Sequence, residues 1–321
     1  MPMGRLSGKR VLVTLPLDEE QKEDFSKLIE DAGGCASFIR EHDVMACDIA
    51  GTSVIIGNIP AHLLHAPASL EWLQTSSAGY DHYLAEGRLS PHTLLTNATG
   101  AYGQAVSEHM LASLLCLMKK LHLYRDNQRS GLWRDEGSVE TLVGSKILVL
   151  GTGDIGSSFA RLATVLGAHV FGVRRNTGHC PAPFEGVYPI ESVPGILGGF
   201  DVVACVLPSS PETRGLADAA FFSAMKDGAF FVNAGRGDLV DSDDLAASLA
   251  SGHLAGAALD VTAPEPLPEG NPLWGMPNVL ITPHVAGFWH LQATTDNVVA
   301  ICRSNLVSYL DGVSLKNVVA R

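Results

Sequence analysis

The sequence predicts an α/β protein made of two doubly wound parallel sheets, and three observations carry that prediction. Short apolar runs alternate with amphipathic stretches along nearly the whole chain. The alternation halts at a polar, glycine-containing link and then starts again. With 321 residues, the chain is long enough to bury two ordinary cores.

In order, "RVLVTL" leads into "EEQKEDFSKLIEDAGG", "SVIIG" into "PAHLLHA", "LEWLQTS" into "DHYLAEG", and "TLLTNA" closes the first series. A parallel strand covered on both faces reads as a continuous apolar run, so each run is a strand and each amphipathic partner a crossover helix. Next, "GQAVSEHMLASLLCLMKKLHLYRDNQ" repeats apolar residues at intervals of three and four, which predicts one long helix able to tie two domains together. After the link "RSGLWRDEGSVETLVGS", strands are predicted at "KILVLG", "HVFGV", "GVYPI", "DVVACVLP", "AFFVNA", "GAALDV" and "NVLITP". Helix "SSFARLATVLG" follows the first of these, and "DNVVAICRSNLVSYLDG" is a last amphipathic helix.

Composition narrows the function classes. Hydrophobic residues at 46% and charged residues at 17% describe a well-buried globular chain. With 34 acidic against 22 basic side chains and a formal charge of −12, a broad nucleic-acid or anionic-membrane surface is excluded, and anion recognition must be local. Six cysteines without a CxxC spacing indicate neither a disulfide framework nor a metal site, and most of them read as small buried hydrophobes. No signal segment and no apolar stretch of membrane-spanning length stands out, so a soluble cytoplasmic protein is expected and the "NAT" sequon at Asn97 is taken as chance.

The first strand of the second series runs into "VLGTGDIGSSFA", which places Gly151, Gly153 and Gly156 in a GxGxxG pattern between a strand and a helix. In that setting glycines let the backbone approach a pyrophosphate while the helix N-terminus faces its charge, the Rossmann dinucleotide signature. The end of the next strand normally carries an acid for the ribose 2′-hydroxyl of NAD. Here Arg174 and Arg175 stand in "VFGVRRN". A guanidinium fork suits a 2′-phosphate where a carboxylate would repel it, so NADP(H) is favoured and NAD(H) stays possible.

Three later segments each carry a chemically active side chain near a strand end: Arg236 in "FVNAGRGDLVD", Asp260 and Glu265 in "ALDVTAPEPLP", and His284 in "ITPHVAG". Each alone reads equally as a loop arginine, a surface acid or a helix-start histidine. As a set they fit hydride reduction of a 2-oxoacid, with a cation for the carboxylate and carbonyl and a proton donor for the developing alkoxide. Glu265 would hold the other imidazole nitrogen of His284.

Together with "SSAGYDH", "AVSEH", "GTGDIG", "LPSSPETRGL", "MKDGAFFVNAGRGDLVD", "LAGAALDV", "EPLPEGNPLW" and "NVLITPHVAG", these segments resemble the NAD(P)-dependent D-2-hydroxyacid dehydrogenases. In pattern the chain is most similar to their NADP-preferring glyoxylate/hydroxypyruvate reductase branch. The resemblance implies that Arg236, Glu265 and His284 take the catalytic places, that Asp260 contacts the nicotinamide amide, and that Asp154, Ile155, Leu207, Pro208, Thr213 and Ala234 line the cofactor. It also implies that the backbone amides of Ala78 and Gly79 meet the substrate carboxylate, with Tyr102 nearby, and that no metal is needed. A Rossmann-type cofactor domain, residues 101–289, is then inserted into a discontinuous flavodoxin-like substrate domain, residues 1–100 plus 290–321.

A homodimer is expected, both from the resemblance and from the apolar "MLASLLCLMKK" face of the long helix. The substrate expectation is glyoxylate or hydroxypyruvate. A bulkier branched or aromatic 2-oxoacid is the alternative, with Phe288, Trp289, Tyr80 and Tyr102 lining an apolar pocket ahead of His290. A cofactor-sensing binding protein, which would not need all three catalytic side chains, is the remaining class.

Overall fold

The computed structural model describes residues 5–320. The chain divides into two compact units: one comprises the residues up to Ala101 and those from Trp289 onward, the other Tyr102–Phe288.

In the first unit, β1 (Arg10–Val13), β2 (Cys35–Phe38), β3 (Thr52–Ile56), β4 (Trp72–Gln74) and β5 (Leu94–Thr96) form a parallel sheet in the order β2-β1-β3-β4-β5. Helix α1 (Glu19–Asp31) starts at a capping box in which the Asp18 carboxylate accepts the Gln21 N–H and the Gln21 side chain accepts the Asp18 N–H. It buries Phe25 and Ile29. A single turn, α2 (Ala46–Ile49), precedes β3.

The crossover helices expected after β3 and β4 are absent, replaced by 3-10 turns at Ala61–Leu63 and Asp81–Tyr83. Pro60 and Pro67 bracket the first stretch, Gly79 and Gly87 the second, and neither interval is long enough to repay helix nucleation.

The second unit opens with a correction to the predicted long helix, which is two helices: α3 (Gly103–Met118) and α4 (Leu121–Arg129). Lys120 between them is left-handed at φ 55°. The break lets both lysines serve the following link, Lys119 Nζ donating to Glu140 O and Lys120 Nζ to Glu136 O. Helix α3 also does not present its apolar face outward. Met110, Leu114, Leu117 and Met118 are buried in this unit's own core, with Leu111 and Leu115 packed against it and only partly buried.

The second sheet contains β6 (Lys146–Leu150), β7 (His169–Val173), β8 (Gly186–Tyr188), β9 (Val202–Cys205), β10 (Ala229–Asn233), β11 (Leu254–Leu259) and β12 (Val279–Ile281). All pairs are parallel, in the order β12-β11-β10-β9-β6-β7-β8. Successive residues feed opposite cores, as strand geometry requires. Ile147, Val149, Phe230 and Val232 pack with α3 and α5 (Asp154–Val165). Leu148, Leu150 and Phe231 pack with α6 (Val193–Ile196), α7 (Ala219–Ala224) and α8 (Ser242–Ala250). Strand order reverses between β6 and β9, the switch point at which α/β sheets open a crevice.

Helix α9 (Gln292–Asp311) returns to the first unit. Its Asn305, fully buried, donates to Gln74 Oε1 at 2.7 Å and to Lys316 O, and accepts the Lys316 N–H. Gln74 Oε1 also accepts from Thr96, whose oxygen accepts the Trp72 indole N–H. On the outside, Arg303 makes a two-pronged ion pair with Asp24 of α1 at 2.6 and 2.9 Å.

All six cysteines are free thiols, and the expectation that most are buried is corrected: only Cys205 and Cys302 are, while Cys35, Cys47 and Cys180 are exposed. Burial pushes the Cys205 thiol up to about 12, so it holds its proton. Among the described residues, no helix is long and apolar enough to cross a membrane.

The two anchors of α9 differ in strength. Asn305→Ala strands buried partners and is expected to cost about 1–3 kcal/mol, against about 0.2–1 kcal/mol for Asp24→Asn at the exposed pair. The Arg303 hydrogen bond holds the Asp24 carboxyl below its ordinary value. That contribution is therefore present above about pH 4 and lost as pH falls through the lower folded value, while the Asn305 contribution stays. Urea unfolding of both variants at neutral and acid pH measures the difference.

Candidate functional site

The glycine turn sits at the switch point, directly after β6. Gly151 has φ +107°, and a Cβ there would meet Val206 O at 3.2 Å. A Cβ on Gly156 would run into Gly151 O, so the helix can pack this close to the strand only without one. Gly153 is different: nothing lies within 4 Å of its Cβ position, and as N-cap of α5 it offers no side chain to the helix's first N–H groups. An open space in front of uncapped helix amides fits a pyrophosphate. Asp154 and Ile155 begin α5, with the Asp154 carboxylate set against Gly103 at the start of α3.

At the end of β7, the Arg174 N–H donates to Tyr188 O and its guanidinium to His179 O at 3.1 Å, so its own loop steadies this side chain. Arg175 is exposed, and its charge reaches Glu212, whose carboxyl is held below its ordinary value first by the Ser210 hydroxyl and additionally by Arg175. Leu207 and Pro208 follow β9. Thr213 closes that loop by accepting the Ser210 N–H and donating to Pro208 O.

The turn after β10 is shaped by Asn233, which is fully buried. Its Oδ1 accepts the Gly235 N–H and its Nδ2 donates to Arg236 O, which folds Ala234 to Arg236 back over the strand end. Gly235 lies so close to the β9 loop that a Cβ would stand 2.8 Å from Leu207 O. Gly237 abuts Thr262 with no room for a Cβ at all. The half-buried Arg236 donates from Nη1 to Gly235 O.

Asp260, at the end of β11, is buried with 6% exposure. Its Oδ1 accepts the Thr282 hydroxyl at 2.6 Å and the Val285 N–H at 3.0 Å, and its Oδ2 accepts the Ala286 N–H at 3.1 Å. Its carbonyl accepts the N–H of His284, which stands in the left-handed region at φ 54°. These bonds over-determine a backbone conformation that a non-glycine residue adopts only at some cost.

The His284 ring meets Glu265 across 2.9 Å, Nδ1 to Oε2, while Glu265 Oε1 accepts the Thr262 N–H. An ionised carboxylate only accepts, so Nδ1 carries a proton and Nε2 is the nitrogen that can exchange one. The imidazole is about half exposed, within reach of a reactant.

Arg236, Asp260, Glu265 and His284, distant in sequence, therefore gather at the carboxyl ends of β10, β11 and β12. Tyr102 lies near Gly287 in the same unit, its ring 3.1 Å from where a Gly287 Cβ would be, and Phe288 is 54% exposed. Ala78 and Gly79 belong to the other unit, in the loop after β4. The Ala78 carbonyl accepts from the Asn97 side chain and the Gly79 carbonyl from the Ser77 hydroxyl. Tyr80 packs on that unit's core. Among the described residues, no group of three or more His, Cys, Asp or Glu side chains could hold a metal.

Sequence reasoning missed Asn233, Thr282 and His109. The "NAG" turn could have marked Asn233 as a side chain folding its own backbone. His109 meets Thr282 from 173 positions away, and no local pattern announces that.

A family model described as D-isomer specific 2-hydroxyacid dehydrogenase, NAD binding domain, matches residues 111–286, more than half of the chain. A glyoxylate reductase/hydroxypyruvate reductase of Mus musculus is 34% identical over 262 residues, covering 78% of this chain and 77% of the relative. A crystal structure of a D-isomer specific 2-hydroxyacid dehydrogenase family protein from Aeromonas salmonicida is 32% identical, with a TM-score of 0.82, over 98% of this chain and 99% of that one. An NADPH-dependent glyoxylate/hydroxypyruvate reductase from Sinorhizobium meliloti, solved with NADP and sulfate, is 26% identical with a TM-score of 0.77, over 97% and 98% of the two chains. With the matched segment spanning the glycine turn and reaching through His284, the chain belongs to the D-isomer specific 2-hydroxyacid dehydrogenases and is an oxidoreductase with an NAD(P)-binding Rossmann domain.

Proposed function

We propose that this enzyme reduces a small 2-oxoacid, glyoxylate or hydroxypyruvate first, to the D-2-hydroxyacid with NADPH. The observation that carries the chemistry is the His284–Glu265 hydrogen bond at the strand end next to Arg236. When bound, the nicotinamide cofactor supplies a hydride to the keto carbon. The carbonyl π electrons move onto oxygen, and that oxygen takes the proton of His284 Nε2. Arg236 holds the carboxylate and stabilises the negative charge that develops on the oxygen. Glu265 keeps Nδ1 protonated and the ring oriented, and favours the imidazolium that donates. Asp260 is assigned to the nicotinamide amide.

NADPH is favoured over NADH because arginines stand after β7 where an acid for a free 2′-hydroxyl is usual. The NADP-bound Sinorhizobium meliloti relative, named for glyoxylate and hydroxypyruvate, supports both the cofactor and the substrate.

We also propose a homodimer formed through the second unit. Val143 packs on Gly167, beside Val165 and Leu166, and these apolar side chains are exposed, as are Leu132 and Trp133. Exposed apolar side chains gathered at Val143, Val165 and Leu166 suit a surface that a second copy covers.

His284→Ala and Arg236→Ala should each lower kcat by about 10²–10⁴-fold in folded protein, and Glu265→Gln by less. Steady-state kinetics across a panel of 2-oxoacids measures this; wild-type rates in either alanine variant remove that residue from the mechanism. Combining Arg174→Asp with Arg175→Ala removes two charge-assisted contacts of about 1.5–3 kcal/mol each and should move the NADPH/NADH ratio of kcat/KM toward NADH by about 10²–10⁴-fold, nearer the low end once desolvation and side-chain ordering are subtracted, mainly through KM. An unchanged ratio makes the two arginines plain surface charges. Sedimentation at micromolar concentration should give a dimer that Val143→Glu with Val165→Glu dissociates, and a wild-type monomer refutes the assembly.

A further inference from the structure

His109 lies on α3, among none of the groups assigned above to substrate or cofactor, yet it is joined to the His284 loop. Its Nε2 stands 3.0 Å from Thr282 Oγ1. The same Thr282 hydroxyl is 2.6 Å from Asp260 Oδ1, and a carboxylate cannot donate. The single hydroxyl proton therefore points to Asp260, and His109 Nε2 must donate to Thr282. The donors converge on Asp260: His109 donates to Thr282 and Thr282 to the carboxylate from one side, and the Val285 and Ala286 amides donate to it from the other.

The relay is buried at its carboxylate end, where the Asp260 side chain is 5% exposed, and partly open at His109, which is 26% exposed. It borders a cavity of about 10 Å³ lined by His109, Asn233, Asp260 and Thr282 with Met110 and Leu280. In such surroundings hydrogen bonds gain strength and polarise one another. His109 Nε2 is also only 3.8 Å from Asp260 Oδ1, too long for a bond but close enough to lend its dipole.

We propose that His109 is a positioning residue: through Thr282 it fixes the rotamer of the Asp260 carboxylate, and so the left-handed backbone that aims His284 at the substrate. This rests on the assignment of His284 as proton donor.

The experiment uses the full-length enzyme with whichever 2-oxoacid turns over fastest. His109→Leu and Thr282→Val should each lower kcat by about tenfold, and the double variant should fall no further than the worse single one, since both break the same relay. His109→Gln, whose amide nitrogen can reach Thr282, should restore most of kcat. Independently of turnover, hydrogen exchange at the Val285 and Ala286 amides should speed up in His109→Leu and not in His109→Gln. Additive losses near a hundredfold, a glutamine variant as poor as the leucine one, or unaltered exchange in His109→Leu overturns the relay. His284→Ala is run beside these variants: if it retains wild-type kcat, the proton-donor assignment has failed, whereas full loss there with an additive cycle rejects His109 alone.

Discussion

The buried carboxylate of Asp260 is the constraint on which the site depends. Taking an ionised carboxylate out of water costs several kcal/mol unless its oxygens are well bonded, and three donors meet it here. Two of those donors are backbone amides just past His284, so satisfying the charge and shaping the loop are one event. Were Asp260 an asparagine, half of its side-chain head would offer N–H groups to N–H groups, and the turn would have to open. The loop's conformation follows from the need to solvate one charge without water.

The same economy shapes the neighbouring strand ends. Gly235 and Gly237 allow the β10 turn to touch the β9 loop on one side and Thr262 on the other, and Asn233 ties that turn to itself. Arg236 thus rides on a backbone clamped at three points, and Glu265 rides on the segment that Gly237 touches. A precise reactive group here is mostly a matter of backbone contacts that lack a Cβ.

Much of this was legible before any coordinates. The two parallel sheets, the glycine turn and the strands carrying Arg236, Asp260, Glu265 and His284 all leave local marks, because apolar runs, glycines and strand-end polar residues are short-range patterns. What was not legible depends on partners far away. Nothing local says that Lys119 and Lys120 will break a helix to reach carbonyls in the following link, nor that the apolar side of α3 is absorbed by its own sheet. Cysteine burial was misjudged for a related reason, since a residue's average habit says little about one position on a strand edge such as Cys35. The His109–Thr282 contact belongs to the same class, a fact of tertiary geometry with no trace in spacing.

The near contact of Tyr102 with Gly287 has a consequence for how the chain folds. These residues stand at the two ends of the segment that forms the second unit, so once that segment is native, the flanking pieces of the first unit leave it side by side. Joining α9 to α1 and β4 would otherwise require closing a loop across the whole of residues 102–288, an entropy loss that grows with the logarithm of loop length. A folded insert replaces that long flexible loop by a short rigid span. The discontinuous unit, by contrast, joins residues 231 positions apart in its buried Asn305–Gln74 bond, so its closure depends on the insert being compact.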